Sequence, residues 1–430
     1  MVERRKVVIL GSNGTMGAGA AVVFAGAGFE VVMLAREPAK ARAGIEAAKR
    51  VARSEAVAER IEYGSYREHL ARAVAQADIV FEALAEELEL KRAFFAEVDR
   101  WRKPEALVAS NSSGLSMAEM AAGHSLSFRR CFLGIHLFNP PHLVVGAEVV
   151  PNPESDPEVV EQTAVLLARR LGRKVIVAGD QPGFVGNRVG LKVLNEVAQL
   201  AVEHGVALMD YLVGPHTGRS MPPLKTIDLI GWDVHKAIVA NIYARCPEDP
   251  ARDSFRLPQF IEHGVAAGRL GVKTPAGGGF YRQETNGTLT VLDPASAEYR
   301  PYRAPAPVGF VEAMRRLNRI GRYREAVAVM ADAQGAEAEL LRRLVLGYLS
   351  YGLGLCGGVA RTAADVDTIM GYGFNWAPPG ALVDLLGARR TVELLERHRL
   401  AVPAVVERAA ANGERLCGGG PMEYGRTLVG

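Results

Sequence analysis

Four cysteines in 430 residues, Cys131, Cys246, Cys356 and Cys417, form no Cys-x-x-Cys pair. That scarcity and spacing exclude a disulfide framework and the usual zinc-ligand pattern, and fit a reducing cytoplasm. A dominant charge is missing too. The 51 Lys and Arg residues nearly cancel 48 Asp and Glu residues, leaving +3, too weak a field to argue for nucleic acid or an anionic membrane surface. No apolar run approaches the roughly 20 residues of a membrane span. The basic start, Met1 to Lys6, leads into an apolar run that stops at Gly11, shorter than a secretory signal requires. These absences predict a cytoplasmic protein with neither nucleic-acid nor membrane partners.

What is present is an ordinary globular composition, 49% hydrophobic and 23% charged, in a chain long enough for two or three domains. Val7-Val8-Ile9-Leu10 runs into the turn Gly11-Ser12-Asn13-Gly14-Thr15-Met16-Gly17, then into small residues over 16–27 and a second apolar run over 30–35. Strand, glycine turn, helix and strand make a βαβ unit. Further strands are expected at 79–83, 107–110 and 131–137, with a helix over 87–101. The fold class expected is α/β, a Rossmann-like doubly wound sheet covered by helices, followed by an all-α domain with an internal repeat.

The change comes near Asp180-Gln181-Pro182-Gly183. Helices are expected over 186–204, 233–244 and 258–267, and again from about 311. Asp210, Gly214, Pro222-Pro223, Asp228 and Gly231 find counterparts in Asp367, Gly371, Pro378-Pro379, Asp384 and Gly387. Such aligned recurrence reads as two copies of one helical unit. The expected division is a dinucleotide-binding domain over 1–183, a first helical copy over 184–290, a linker over 291–310 rich in Pro, Tyr and Arg, and a second copy over 311–430.

A glycine turn between a strand and a helix suits a pyrophosphate, because bare backbone approaches the charge and the helix N-terminus faces it. In G-x-G-x-x-G spacing, Gly14 and Gly17 supply the later glycines, Ser12 takes the first place, and Gly11 stands one residue early. Met16 lies inside the turn. The second strand ends in Ala35-Arg36-Glu37. Ala35 offers no carboxylate to a ribose 2′-hydroxyl, and Arg36 suits the 2′-phosphate of NADP or is simply a solvated strand end. NAD and NADP both stay open on these residues.

Three segments share a chemistry: Ser110-Asn111-Ser112-Ser113, Gly134-Ile135-His136-Leu137-Phe138-Asn139-Pro140 with Glu148 beyond it, and Asp180 to Asn187-Arg188. Oxidising a secondary alcohol needs a base for the hydroxyl proton while hydride leaves the same carbon. An imidazole suits that task, and a carboxylate on its other nitrogen fixes the tautomer. Alone, His136 beside Leu137 and Phe138 reads as a partly buried histidine, Ser113 as a turn residue and Asn187 as a helix cap. A His–Glu pair explains both a histidine among apolar residues and a carboxylate beside Val149 and Val150.

In this order and spacing the segments resemble the 3-hydroxyacyl-CoA dehydrogenase family over about residues 5–283, and the stretch from Gly271 through Lys273 to Tyr281 is similar to its closing glycine motif. The resemblance implies hydride transfer between NAD and C3 of an (S)-3-hydroxyacyl-CoA in fatty-acid β-oxidation. It assigns catalysis to His136, Glu148, Ser113 and Asn187, and cofactor contacts to Glu86, Lys91, Asn139 and Lys273. The basic residues Lys40, Arg42, Lys49, Arg50 and Arg53 are candidates for the CoA phosphates, or a solvated helix face. The second helical copy resembles that of longer, hydratase-fused members. The resemblance leaves open a homodimer or a monomer whose internal repeat takes the place of the dimer contact, and likewise a separate enoyl-CoA hydratase or thiolase partner. Val145 departs from the family, which carries a lysine there. The rival readings are an NADP-dependent 3-oxoacyl thioester reductase and a cofactor-binding homologue with a structural role.

Overall fold

Eight short strands, mostly apolar, build the N-terminal half, seen in a computed structural model that describes residues 6–12, 14–274, 276–417 and 428. Asn13 of the glycine turn and Pro275 of the closing motif lie outside those residues. The strands are β1 (Lys6–Leu10), β2 (Glu30–Ala35), β3 (Ile61–Ser65), β4 (Ile79–Glu82), β5 (Leu107–Ser110), β6 (Phe132–Leu137), β7 (Gly146–Pro151) and β8 (Lys174–Val177). They form one sheet in the order β3-β2-β1-β4-β5-β6-β7-β8. The first six are parallel, the doubly wound arrangement whose ligands bind at the carboxyl ends of the strands. β7 runs antiparallel to β6 and is followed by parallel β8. The nearly continuous apolar character of β1 and β4 reflects burial on both faces.

β3, β7 and β8 are absent from the sequence-based expectation, although β8 reads Lys-Val-Ile-Val, a short apolar run that was a usable signal. β3 reads Ile-Glu-Tyr-Gly-Ser with two exposed positions in its middle, an edge strand without an apolar run. β7 opens Gly-Ala-Glu, which hides a buried strand behind a glycine and a charge.

Met1–Phe184 and Val185–Gly430 are two compact units. In the second, the helices Gly186–His204, Val206–Leu212, Pro223–Ile230, Trp232–Arg245 and Gln259–Ala266 are followed later by Ala336–Gly354, Ala363–Tyr372, Pro379–Leu386, Ala388–Arg397 and Ala404–Asn412. The recurring aspartates do the same work in each set. Asp210 accepts the N–H of Leu224 at 2.8 Å, and Asp367 that of Gly380 at 2.7 Å. Asp228 accepts the N–H groups of Phe280 and Tyr281, and Asp384 those of Leu416 and Cys417. Tyr281 donates to Asp210 at 2.9 Å where the Cys417 thiol donates to Asp367 at 3.1 Å. A Cβ on Gly279 would stand 2.1 Å from Asp228 Oδ1, which accounts for a glycine there.

The stretch expected as a linker over 291–310 is a correction. Tyr281–Gln283, Leu289–Asp293 and Glu298–Pro301 form a three-stranded antiparallel sheet, and Tyr299 donates to the carbonyl of Gly279 at 2.6 Å. Its Pro and Arg content masked strands that are short and, apart from two buried positions in the central one, half-buried or exposed.

His235, fully buried on the helix Trp232–Arg245, donates from Nε2 to Asn195 Oδ1 at 3.0 Å. The Asn195 amide is oriented by the carbonyls of Ser254 and Arg256. Burial pushes this imidazole down to about 3. The unfolded chain therefore takes up a proton near pH 6.5 that the folded chain refuses until far lower, so the contribution is present above the unfolded value and is lost as pH falls. The stability of the wild type relative to His235→Gln should decline by about 1.4 kcal/mol per pH unit between about pH 5.5 and about pH 4. Urea midpoints measure this, and a pH-independent difference would rule out a buried neutral ring.

Candidate active site

The glycine turn begins where β1 ends. Gly11 has φ +82°, and a Cβ there would lie 2.2 Å from the Ala83 carbonyl oxygen. Its N–H donates to the Tyr66 hydroxyl at 2.8 Å. Gly11, rather than Ser12, therefore does the steric work of the first glycine, which corrects the spacing argument. Ser12 is the additional residue, fully buried, with its N–H on the Leu34 carbonyl at 3.2 Å and no partner for Oγ among the described residues. A Cβ on Gly17 would come within 2.5 Å of the Gly11 oxygen, so the helix Thr15–Gly26 can pack against the strand end only with glycine there. Gly14 differs. It is exposed, caps that helix without a side-chain bond, and an added Cβ would find its nearest neighbour 3.7 Å away. Tight packing at Gly11 and Gly17 with open space over Gly14 fits a pyrophosphate approaching bare backbone. Met16 lies half-buried in the first turn.

Beside the turn, β4 ends in Glu82. Its carboxylate accepts from Lys91 Nζ at 2.6 Å, from the Leu84 N–H at 2.5 Å and from the Ser110 hydroxyl at 2.5 Å. Both Glu82 and Lys91 are buried, and removing one partner of such a pair costs about 3–5 kcal/mol. Lys91 also reaches Glu86 at 3.4 Å. Glu86 in turn accepts the Ser112 hydroxyl at 2.5 Å and the N–H groups of Ser113 and Gly114 at 2.9 and 3.0 Å. Lys91 is thus a buried tie near the start of the helix Leu88–Trp101. Sequence alone assigns no role to Glu82, nor to Ser110 and Ser112 within their segment, although a carboxylate closing the apolar run Ile79-Val80-Phe81 was a usable signal.

The register of β6 and β7 pairs His136 directly with Glu148. Twelve residues of separation become a cross-strand contact, with Nδ1 and Oε2 2.7 Å apart and both side chains buried. The carboxylate accepts, so Nδ1 carries the hydrogen and Nε2 faces the Ser113 hydroxyl at 3.3 Å. Phe138 and Phe184 flank the ring at centroid distances of 4.8 and 5.6 Å. Asn111 anchors the strand end by accepting the Leu137 N–H at 2.9 Å. Asp180 accepts from the Ser116 hydroxyl and from the N–H groups of Met117 and Ala118, fixing the loop beyond Ser113.

The first unit thus gathers Ser113, His136, Glu148, Glu86 and Lys91 around the strand ends. Asn139 is exposed just past β6, and Arg36 is exposed just past β2. Asn187 is buried in the first turn of the helix Gly186–His204 in the second unit. Lys273, in the same unit, holds Asp233 at 2.7 Å. Among the described residues no cluster of His, Cys, Asp and Glu could hold a metal, and no helix is long and apolar enough to cross a membrane.

Gly14→Val should leave the thermal melt of the protein unchanged yet weaken NADH binding by more than about tenfold, whereas Gly17→Val should destabilise by about 2–3 kcal/mol through overpacking. Melting curves and NADH fluorescence titration separate the two. Equal binding by Gly14→Val and wild type would remove the dinucleotide from this turn.

Comparison with known proteins agrees with this geometry. The NAD binding domain of 3-hydroxyacyl-CoA dehydrogenase matches residues 6–181, and the C-terminal domain of the same family matches 183–283. A probable 3-hydroxyacyl-CoA dehydrogenase of Deinococcus radiodurans is 35% identical over 294 residues, 65% of this chain and 83% of that one. Another, of Bacillus subtilis, is 31% identical over 345 residues, 79% of this chain, which spans only 42% of that relative's length. The crystal structure of 3-hydroxybutyryl-CoA dehydrogenase from Escherichia coli K12 shares the fold, with a TM-score of 0.70 at 23% identity over 96% of this chain and 99% of that one. An NAD-binding sheet and a helical domain, each matched by the same family in the same order, make this chain a member of the 3-hydroxyacyl-CoA dehydrogenase family.

Proposed function

We propose that the chain oxidises (S)-3-hydroxyacyl-CoA to 3-oxoacyl-CoA in fatty-acid β-oxidation. The observation that carries this reading is the relay Glu148–His136–Ser113, a carboxylate, an imidazole and a hydroxyl in series at the carboxyl ends of the strands. His136 Nε2 is the general base. It takes the C3-hydroxyl proton, and Glu148 stabilises the imidazolium that forms and keeps the accepting nitrogen pointed outward. Ser113, already within reach of Nε2, donates to the substrate oxygen and holds it on the line of proton transfer. Asn187 is assigned to the thioester carbonyl through the family motif. Glu86, Lys91, Asn139 and Lys273 are assigned to the cofactor, with Gly11, Ser12, Gly14, Met16 and Gly17 on its phosphates. Bound NAD supplies the acceptor for the C3 hydride. The flanking Phe138 and Phe184 keep water from the base and hold the ring upright.

Run in reverse, with acetoacetyl-CoA and NADH, turnover is followed by cofactor absorbance. His136→Gln should lower kcat by about 10³-fold and Glu148→Gln by about 10²-fold, with KM for acetoacetyl-CoA little changed, since general-base catalysis contributes 10²–10⁴-fold. Melting temperatures show whether the variants are folded. A folded His136→Gln with kcat within about tenfold of wild type would sink the assignment of His136 as base.

A further inference from the structure

Dinucleotide sites distinguish their two cofactors where β2 ends, because the 2′-hydroxyl and 2′-phosphate of the adenosine ribose lie there. A carboxylate at that point accepts from the hydroxyl and repels the phosphate. Here the strand closes on Ala35, which is buried and has no polar side chain. Two nearby carboxylates have basic neighbours of their own. Glu37 pairs with Lys40 at 3.2 Å, and Glu68 lies 3.8 Å from the His69 ring. Ser65, opposite Ala35 in the β2–β3 register, uses its hydroxyl to cap the helix Tyr66–Gln76.

Arg36 follows directly. It is exposed, and among the described residues it makes no ion pair. Its strand is tied to the glycine turn by the Ser12 N–H on the Leu34 carbonyl, two residues before Arg36, and the same turn reaches Tyr66, just past β3, through the Gly11 N–H. The Arg36 charge is felt at the Tyr66 hydroxyl, where it opposes the burial that pushes that group up to about 12. Between positions 35 and 42 the chain carries Arg36, Lys40 and Arg42 against Glu37 alone. The strand end is cationic where selection for NAD calls for an anion.

Resting on the dehydrogenase reading above, we propose that this ribose subsite does not select against a 2′-phosphate, and that Arg36 receives it, so the chain accepts NADP(H) alongside NAD(H). The guanidinium offers paired donors matched to phosphate oxygens, while the 2′-hydroxyl of NAD loses nothing that Ala35 could have given. Arg36 is therefore the residue that sets cofactor preference.

Fluorescence titration of the full chain with NADH and NADPH tests this without turnover. Wild type should bind NADPH with a Kd within about tenfold of that for NADH. Arg36→Ala, a substitution at an exposed position, should weaken NADPH by at least about tenfold and leave NADH within about twofold. Added salt should weaken NADPH more than NADH in wild type and not in the variant. NADPH binding more than about tenfold weaker than NADH in wild type, or unaffected by Arg36→Ala, would overturn the proposal and leave the dehydrogenase reading standing. Binding of neither cofactor would overturn both.

Discussion

A 2.7 Å hydrogen bond between two buried side chains, His136 and Glu148, is the constraint on which the site depends. Burying a carboxylate among Val149, Val150 and Ala147 costs several kcal/mol unless it is paired and hydrogen-bonded. The antiparallel pairing of β6 and β7 provides that partner, and with it a fixed tautomer. The topology matters here. A seventh strand parallel to β6 would have required a crossover connection, whereas the reversal places two residues twelve apart directly opposite one another.

Around this pair the first unit arranges buried charge in a second layer. Glu82 and Lys91 neutralise each other beneath the loop, and Glu86 gathers the N–H groups of Ser113 and Gly114. Ser113 is thus aimed by its backbone as well as by the ring it faces. Asn111 and Asp180 tie the same loop to the β6 end and to the segment that leads out of the unit. A polar network of this kind is stable only when each member is satisfied, and here the bonds to Glu86, Asn111 and Asp180 hold the loop from three sides.

Much of this was legible in the residues. The βαβ opening, the helix Gly186–His204 and the relation of His136 to Glu148 follow from apolar periodicity and from the need of each polar group for a partner. The paired aspartates of the two helical sets were visible as a recurrence, while their function, gathering backbone N–H groups from distant segments, was not. Nothing in the identity of Asp228 says that Phe280 and Tyr281 will donate to it. β3, β7 and the small sheet over 281–301 were hidden because short strands carrying Glu, Gly, Pro or Arg lack the apolar run that marks a buried strand. Glu82 was passed over for the opposite reason, a charge so well buried that a composition-based reading takes it for a strand end. The glycine turn misled through spacing alone, since steric contact at Gly11 and not its offset determines which residue must lack a side chain.

The most direct test of the account is the protonation of the His136 ring, read from ¹⁵N-edited spectra of the histidine side chains and assigned by the signal missing in His136→Gln. The account predicts a proton on Nδ1, held by Glu148, with Nε2 free to accept, and loss of that single tautomer in Glu148→Gln. A wild-type ring protonated on Nε2 would contradict it, because the nitrogen facing Ser113 could not then take the substrate proton.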